Sequence, residues 1–484
     1  MRRATSGLIT LLAASLLGCA TNSPRETNGS EQWLAGDHHV HSQFSVGWDR
    51  STSPPSPIVG GDAIHPIPMN VLMGKHFGLS WMVATDHGGP NHSKVNREKA
   101  FPELQRSRLV IPEVIQFYGM ELNTPGGEHN SLIIPHTHDE VDVLAHLESQ
   151  FDTQEAFPKD PARNTEAKML DALTVMRELP APPVVIANHP SRTARGEGEY
   201  GLLQPAELRR WNDTAPEVAL GMAGAPGHQA AALANVATID QATGNKIPRK
   251  INRGSYFGFP TLGGFDQMTA RVGGFWDSML GEGRRWWITA NSDFHRHFTE
   301  SGIDFWPGEY SKTFIYAAKS HAAILTALRA GKVFVTTGDL VSEVELRVAD
   351  GARSATMGGE LTVQAGRQVE VTIRVLDPVG VNAHGDAPRV KRVDLIVGSV
   401  GPKLEDPSVN ANASTAVVRR FSRDDWQQDG EYLSMTALLD VDGPTYVRVR
   451  GTNTDELEPQ QDAQGEDPWQ DLWFYSNPVF LSIE

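Results

Sequence analysis

Hydrophobic and polar positions divide the chain into two regions. From Trp33 to about Leu340, short apolar runs alternate with helical or irregular segments, a pattern typical of an α/β domain. The runs that read as strands cover residues 79–84, 114–120, 131–134, 184–187 and 286–290. Helical spacing predicts a helix over 166–179, and a second one from a Ser320 cap to Ala330, followed by a strand over 333–336.

Beyond residue 341 the apolar positions recur at every second residue. Apolar residues alternate with polar ones over 369–375 and 447–450, and further strand-like runs cover 393–397, 416–420, 432–438 and 479–483. Pro, Gly and Asp turns separate these runs. The pattern predicts a small β-sandwich over residues 341–484, with a structural role.

The stretch from about 200 to 285 has no strong periodicity. We interpret it as an insertion that forms a lid or pocket wall; helices with a weak pattern are the alternative. Its aromatic residues could line an apolar pocket or fill the core: Tyr256, Phe257, Phe259, Phe265, Phe275 and Trp276.

The first residues read as an export signal, with Arg2 and Arg3 before an apolar run over 8–17 that is too short to span a membrane. The end of this run, Leu-Leu-Gly-Cys, resembles the lipobox of bacterial lipoproteins. That resemblance implies cleavage before Cys19, a lipid on Cys19, and anchoring in the cell envelope, at the outer membrane or facing the periplasm. Residues 20–32 then form a flexible tether. An ordinary secretory signal is the alternative.

Composition excludes several classes of site. Cys19 is the only cysteine, so the mature chain has no disulfide and no thiolate metal site. The formal net charge of −16, without a cluster of Lys and Arg, argues against nucleic acid as a partner. The net charge says little about a small substrate, because bound metal ions would reverse the sign of the electrostatic field at the site. The oligomeric state stays open.

Metal-ligand chemistry recurs where the apolar runs end. In the segment 37–42 (Asp-His-His-Val-His-Ser), an extended backbone places Asp37, His39 and His41 on one face. The other candidates near strand ends are Asp86 with His87, Glu121, His129, Asn188 with His189, and Asp293 with His295. Each alone is more often a structural residue. Because the carboxyl ends of parallel strands meet at one mouth, together they predict a metal site.

In this order the motifs resemble the PHP (polymerase and histidinol phosphatase) domain. They are D-x-H-x-H-S at 37–42, T-D-H at 85–87, G-x-E at 119–121, His129, H-P at 189–190, and S-D-x-H at 292–295. The resemblance implies a distorted (β/α)7 barrel over residues 33–340 that holds two or three metal ions. With the appended β-sandwich, it points to a branch that includes aryl-carbamate hydrolases.

The resemblance also implies a ligand set. One ion would be held by His39, His41, Glu121 and Asp293; Glu121 would bridge to a second ion on His129 and His189; His87 and His295 would serve a third. Val46 stands where many members carry an acid, so the third site is either absent or uses Asp49 or Asp62. Two ions are therefore a firmer expectation than three, and Zn, Mn or Fe fits the donors.

The implied reaction is hydrolysis. Two ions bridged by a carboxylate lower the pKa of a shared water and deliver hydroxide at neutral pH. A phosphoesterase of a small molecule is the leading hypothesis; a carboxylic ester or aryl-carbamate hydrolase is the alternative, and an inactive binding or scaffold protein the third.

Several further residues complete the sequence-based hypothesis. Arg192 is expected to contact an anionic substrate oxygen, with a surface salt bridge as the alternative. His228 could reach the site from the insertion. Asp37, Asp86 and Asn188 are expected to orient the ligand imidazoles, although Asp86 could equally close a turn. His136 and His138 match no family position and are expected at the surface.

Overall fold

The computed structural model describes residues 29–227, 256, 258–297, 304–463 and 466–484, and the backbone of residues 236–239 and 246–249. It shows a mixed α/β chain with one large mixed sheet and a separate antiparallel sheet of C-terminal strands. At that level the predicted fold class is confirmed. The predicted signal segment with Cys19, and His228, lie outside the described residues. None of the described helices combines the length and apolar character that crossing a membrane requires.

The strands of the described residues up to 340 are β1 (Gln32–Val40), β2 (Gly47–Asp49), β3 (Ser56–Ile58), β4 (Trp81–His87), β5 (Ile115–Asn123), β6 (His129–Ile134), β7 (Val184–Ala187), β8 (Ala219–Ala225), β9 (Val236–Ile239), β10 (Lys246–Arg249), β11 (Trp287–Ala290), β12 (Ser311–Ala317) and β13 (Val333–Thr337). The helices are α1 (Ile67–His76), α2 (His92–Val95), α3 (Phe101–Val110), α4 (Glu140–Phe151), α5 (Glu166–Arg177), α6 (Pro205–Thr214), α7 (Gln267–Ala270), α8 (Phe275–Gly281) and α9 (His321–Arg329). Single turns of π-helix and 3₁₀-helix cover Asn96–Ala100 and Pro161–Arg163.

In the described residues beyond 340, all of the regular secondary structure consists of strands. They are β14 (Glu343–Asp350), β15 (Arg353–Thr356), β16 (Glu360–Val363), β17 (Arg367–Leu376), β18 (Arg392–Ser399), β19 (Ala416–Phe421), β20 (Gln427–Asp429), β21 (Tyr432–Val441), β22 (Thr445–Thr452), β23 (Trp473–Ser476) and β24 (Val479–Ile483).

The topology of the large sheet gathers several strand ends at one edge. Its order is β11-β8-β7-β6-β5-β4-β1-β12-β13-β23-β22-β18-β19, with β24 and β16 attached to β22. Strands β1, β4 and β5 are parallel, as are β7, β8 and β11, whereas β6 is antiparallel to both of its neighbours. The carboxyl ends of the parallel strands and the amino end of β6 therefore lie at the same edge.

Local sequence signals account for the two predicted helices. The hydroxyl of Ser320 accepts a hydrogen bond from the backbone amide of Ala323 at 3.2 Å, which caps α9 as predicted. On α5 the side chains of Met169, Leu173 and Met176 are all buried. Helix α9 packs on β12 and β5, whereas α5 packs on α6 and α4.

The prediction that residues 200–285 form an insertion was wrong for residues 205–225. They form α6 and the strand β8, which lies inside the large sheet between β7 and β11. A Cβ atom at Gly221 would lie 1.8 Å from the carbonyl oxygen of Trp287, so this position requires glycine, and two glycines interrupt the apolar residues of the strand. Of the aromatic residues, Phe257 lies outside the described part; Tyr256, Phe259, Phe265, Phe275 and Trp276 are buried, as core packing requires.

Every strand predicted beyond residue 341 is present, but the region is not an isolated sandwich. One layer is the separate sheet β15-β14-β17-β21-β20. The other layer continues the large sheet, because β23 pairs with β13, with Phe334 opposite Ser476 and Thr336 opposite Phe474. A shared apolar core that includes Ile373 and Val447 lies between the layers. The C-terminal region is thus built onto the α/β part.

Candidate metal centre

The last residues of β1 are fixed between two neighbouring segments. Residues 37–42 are all buried. The backbone amide of Val40 donates to the hydroxyl of Thr85 at 2.8 Å, and the amide of His41 donates to the carbonyl oxygen of Phe294 at 2.9 Å. These bonds hold His41 next to β4 and next to the loop that follows β11.

Four side chains from three strand ends converge on one point. His39 Nε2 lies 3.0 Å from His41 Nε2, 3.1 Å from Glu121 Oε1 and 3.2 Å from Asp293 Oδ1. His41 Nε2 lies 3.4 Å from Glu121 Oε2 and 3.3 Å from Asp293 Oδ1. The four side chains are almost completely buried.

The spacing of these donor atoms fits a metal ion. Metal–ligand distances of about 2.0–2.2 Å place neighbouring donors about 3.0–3.5 Å apart, which is the spacing observed. The Nδ1 atoms of His39 and His41 are buried without a hydrogen-bond partner among the described residues. Buried imidazoles and carboxylates that face one another at these distances indicate a metal site.

Glu121 is also the hub of a second group. Its carboxylate lies 3.0 Å from His87 Nδ1, 3.2 Å from His129 Nδ1 and 3.1 Å from His189 Nε2. His87, Glu121 and His129 are mutually close enough to share an ion. The resemblance implied His129 and His189 as the second pair; the structure brings His87 into this group and leaves His189 at its edge, in contact with Glu121.

A third group consists of His41, His87 and His295. The ring of His41 stacks on those of His295 and His87, with centroids 4.0 and 4.5 Å apart. Asp62 Oδ2 lies 3.7 Å from His295 Nε2 and accepts a hydrogen bond from Ser45 at 2.8 Å.

Of the two carboxylates left open for the third site, only Asp62 lies beside this third group. Asp49 instead accepts hydrogen bonds from the amide and hydroxyl of Ser51 in an exposed turn. Of these two carboxylates, Asp62 is therefore the one positioned to join the third group.

The electrostatics of the cluster keep its hub ionised. Burial raises the pKa of Glu121, but His129 and His39 outweigh it and hold this pKa well below its ordinary value. Burial alone would lower the pKa of His39, whereas Asp293 and Glu121 raise it to about 9. The pKa of His87 falls to about 4, mainly through burial. Metal ligands require a carboxylate and a neutral imidazole, so Glu121 and His87 are already in the required state, whereas His39 would release a proton when an ion binds.

Two candidate ligands sit on backbone that non-glycine residues rarely adopt. The φ angles of His189 and Asp293 are 29° and 51°. Positive φ carries a steric cost of about 1–3 kcal/mol and clusters at functional sites. At both positions the strained turn directly follows a strand and aims the side chain back over the sheet edge.

The residues expected to orient imidazoles act mainly elsewhere. Asp37 accepts hydrogen bonds from the backbone amides of His39 and Ser292, both at 3.0 Å, and so joins the ends of β1 and β11. Asp86 accepts from the amide and hydroxyl of Ser42. Asn188 donates to Glu121 Oε1 at 3.0 Å. The first two position the backbone that carries the ligands, and the third orients the hub carboxylate.

Arg192 lies beside the cluster in a partly buried ion pair. Its Nη2 donates to Glu128 Oε2 at 2.8 Å, and Glu128 is 4% exposed. Burial lowers the pKa of Arg192, but Glu128, Glu121 and Asp293 together raise it above its usual value. Sequence reasoning missed Glu128, although it directly precedes His129. The predicted salt bridge of Arg192 thus exists, but at the site rather than on the surface.

Two further polar residues support the site and were not predicted. The imidazole of His38 bridges Ser131 at 3.0 Å and Thr289 at 2.8 Å, which links β1 to β6 and β11. In the sequence, the only indication of this role is that His38 points to the strand face opposite to His39. Asp304 accepts from the backbone amides of His295, Arg296 and His297 and fixes their loop. Nothing in the irregular sequence around Asp304 signals this role.

His136 and His138 stay apart from the centre. His136 lies 3.1 Å from Glu140 and is partly exposed, and the side chain of His138 is 95% exposed. Both agree with the expected surface positions.

No protein-family model matches the chain, and a search of curated proteins finds no significant relative.

Proposed function

We propose that this chain is a metal-dependent hydrolase of the PHP type, with two or three divalent ions at the sheet edge. One observation carries the proposal: the carboxylate of Glu121 is contacted by five imidazoles and faces Asp293 across His39 and His41. The imidazoles belong to His39, His41, His87, His129 and His189. Such a ligand set around one buried carboxylate is costly for a purely structural site.

Contacts across the large sheet support the barrel that the PHP resemblance implies. Thr313, on β12, accepts a hydrogen bond from the amide of Ala290 at 2.8 Å and donates to its carbonyl oxygen at 2.6 Å. Strand β11, at the far end of the sheet order, is thereby joined to β12. His38 reaches across the same interior. We interpret these links as the closure of a distorted barrel by a strongly curved sheet.

The leading reaction is hydrolysis of a phosphoester in a small molecule. Divalent ions, when bound, would activate water for attack at neutral pH and polarise the bond that breaks. The chain itself supplies orientation: Asn188 holds the Glu121 carboxylate, and Asp37 holds the backbone of His39. We assign the contact with a phosphoryl oxygen to Arg192, because its side chain is 18% exposed and its charge interacts with Glu121 and Asp293 of the cluster.

A carboxylic ester or aryl carbamate is the second candidate substrate. The observation in its favour is the ion pair between Arg192 and Glu128, which neutralises that cation. A site with a compensated charge suits an uncharged carbonyl compound. An inactive binding or scaffold protein would be the third reading, and the retention of the buried ligand cluster argues against it.

We place the protein in the cell envelope, anchored through a lipid on Cys19 at the outer membrane or facing the periplasm. The proposal rests on the resemblance of residues 16–19 to a lipobox. Cys19→Ser should release the protein from the membrane fraction or block its maturation. An unchanged membrane fraction in that variant would refute the lipid anchor.

The direct test of the reaction is a parallel hydrolysis assay on metal-analysed protein. A bis-aryl phosphate, an aryl monophosphate and an aryl carbamate are compared with and without a chelator. Chelator-sensitive turnover of a phosphate supports the phosphoesterase. Turnover of the carbamate alone assigns the second candidate, and no turnover of any of the three by metal-loaded protein contradicts both.

A further inference from the structure

A second cavity lies far from the metal centre. It has a volume of about 510 Å³ and opens at the start of β1, where Gln32 and Trp33 line it. His39 follows Trp33 by six residues, so at about 3.3 Å per residue the two sites are about 20 Å apart along the strand. The volume is in the range of small-molecule sites. No part of the hydrolase mechanism uses this cavity.

Aromatic rings from both parts of the chain line the cavity. Trp33 packs against Tyr316, with ring centroids 5.3 Å apart, and Tyr316 is 37% exposed. On the opposite wall the guanidinium of Arg374 lies 3.7 Å from the ring centre of Tyr432. The buried side chains of Leu346 and Met357 add an apolar surface. A ligand in this cavity would meet the ring of Tyr316 on one side and the stacked pair of Arg374 and Tyr432 on another.

The charged groups of the cavity are compensated in place. Lys332 Nζ lies 3.1 Å from Glu31 Oε1, and Arg374 stands opposite Glu345 in the pairing of β14 with β17. The hydroxyl of Tyr432 donates to Glu343 Oε2 at 2.8 Å. Since acids and cations alternate around the wall, the cavity offers both donors and acceptors and does not select an ion of one sign.

We propose that this cavity binds a neutral saccharide. A sugar ring has an apolar C–H face that packs on aromatic rings, and hydroxyl groups that both donate and accept hydrogen bonds. The aromatic rings and the paired charges supply both kinds of contact. Because each cation stands beside a glutamate, the cavity offers no uncompensated charge to hold a quaternary ammonium group or a phosphate. This binding function is independent of the proposed hydrolase activity.

The test measures saccharide binding to the purified full chain by calorimetry and saturation-transfer NMR. The probes are triacetylchitotriose, maltotriose and cellotriose. At least one should bind, and Tyr316→Ala and Glu343→Gln should each weaken it about tenfold, while metal content stays the same. Trp426→Ala is the matched control, because Trp426 is a partly buried aromatic residue packed on the same C-terminal core without lining the cavity.

Three results would overturn the proposal. The first is the absence of binding by all three probes at about 10 mM. The second is equal affinity in the wild type and in both cavity variants, which would place the saccharide elsewhere. The third is binding of choline or inorganic phosphate, lost in the same variants, in place of any saccharide.

Discussion

The side chain of Asn477 hydrogen-bonds to the backbone of Ile288. Its Oδ1 accepts from the Ile288 amide at 3.0 Å, and its Nδ2 donates to the Ile288 carbonyl oxygen at 3.5 Å. Ile288 lies on β11, the strand that leads to Asp293, whereas Asn477 lies in the C-terminal β region. The amide therefore extends the sheet like an extra strand and connects the C-terminal region to the metal centre.

Replacing Asn477 should destabilise the protein. Asn477→Ala leaves the buried amide of Ile288 without a partner, at a cost of about 1–3 kcal/mol. Asn453→Ala is the matched control, because Asn453 bonds to the backbone of Leu472 and Gln470 away from β11. Thermal unfolding should show a larger loss for Asn477→Ala than for the control. Equal losses would contradict the role of Asn477 as a link to β11.

The sequence singled out side chains that the structure brings together, because their signal is local. An H-x-H segment at the end of a strand, or an acid after an apolar run, fixes the face and the end of the strand from a few residues. The position of β8 was not predictable in this way, because Gly221 must be glycine to avoid a clash with Trp287, a residue far away in sequence. The continuity of β13 with β23 likewise depends on long-range pairing that periodicity does not encode.

The same distinction explains the grouping of the ligands. The sequence identified the types of ligand residue, but the strand register decides which imidazoles lie close enough to share an ion. His87 stands directly opposite Glu121 in the β4–β5 pairing. His189 instead follows the end of a strand, on a turn with a positive φ angle. The sequence predicted Arg192 as a cation near the site. Only the structure shows that Glu128 pairs with it and neutralises its charge.

Asp62 should be needed for a third ion, and Asp49 should not. Asp62 lies 3.7 Å from His295, whereas Asp49 is bound to Ser51 in an exposed turn. We expect Asp62→Asn to lower the metal content by one ion per chain, and Asp49→Asn to leave it unchanged, in elemental analysis after dialysis. Identical metal content in both variants would refute Asp62 as a ligand.

Arg192 and Glu128 should have opposite effects on an anionic substrate. If a phosphoester is the substrate, Arg192→Met should raise its KM about tenfold or more, because a charge-assisted hydrogen bond is lost. Glu128→Gln should lower that KM, because it frees the guanidinium. Turnover of an aryl carbamate should respond to neither change. Equal effects of Arg192→Met on phosphate and carbamate would argue for a positioning role of Arg192 and against anion binding.

Asp471 should make stability depend on pH. Burial, together with Asp462, Glu466 and Glu456, raises the pKa of Asp471 to about 9, so the folded chain holds a proton there that the unfolded chain releases near pH 4. Stability is therefore full below about pH 4 and falls as the pH rises towards about 9.

Asp471→Asn removes this dependence and should stabilise the protein by about 1 kcal/mol or more at about pH 8, with little effect at about pH 4. Asp455→Asn, at a side chain that is 91% exposed, is the control. Calorimetry at the two pH values tests the prediction. A stabilisation of the same size at both would show that the proton on Asp471 is not its cause.

The decisive experiment compares the metal content and chelator-sensitive hydrolysis of Glu121→Gln with those of the wild type. Gln keeps the shape of the side chain but loses the charge that five imidazoles face. We expect the wild type to bind two or three divalent ions and to turn over a phosphoester or a carbamate. The variant should lose metal and more than about a hundredfold of activity, with the C-terminal β region still folded by circular dichroism. Full metal content and full activity in Glu121→Gln would contradict this expectation.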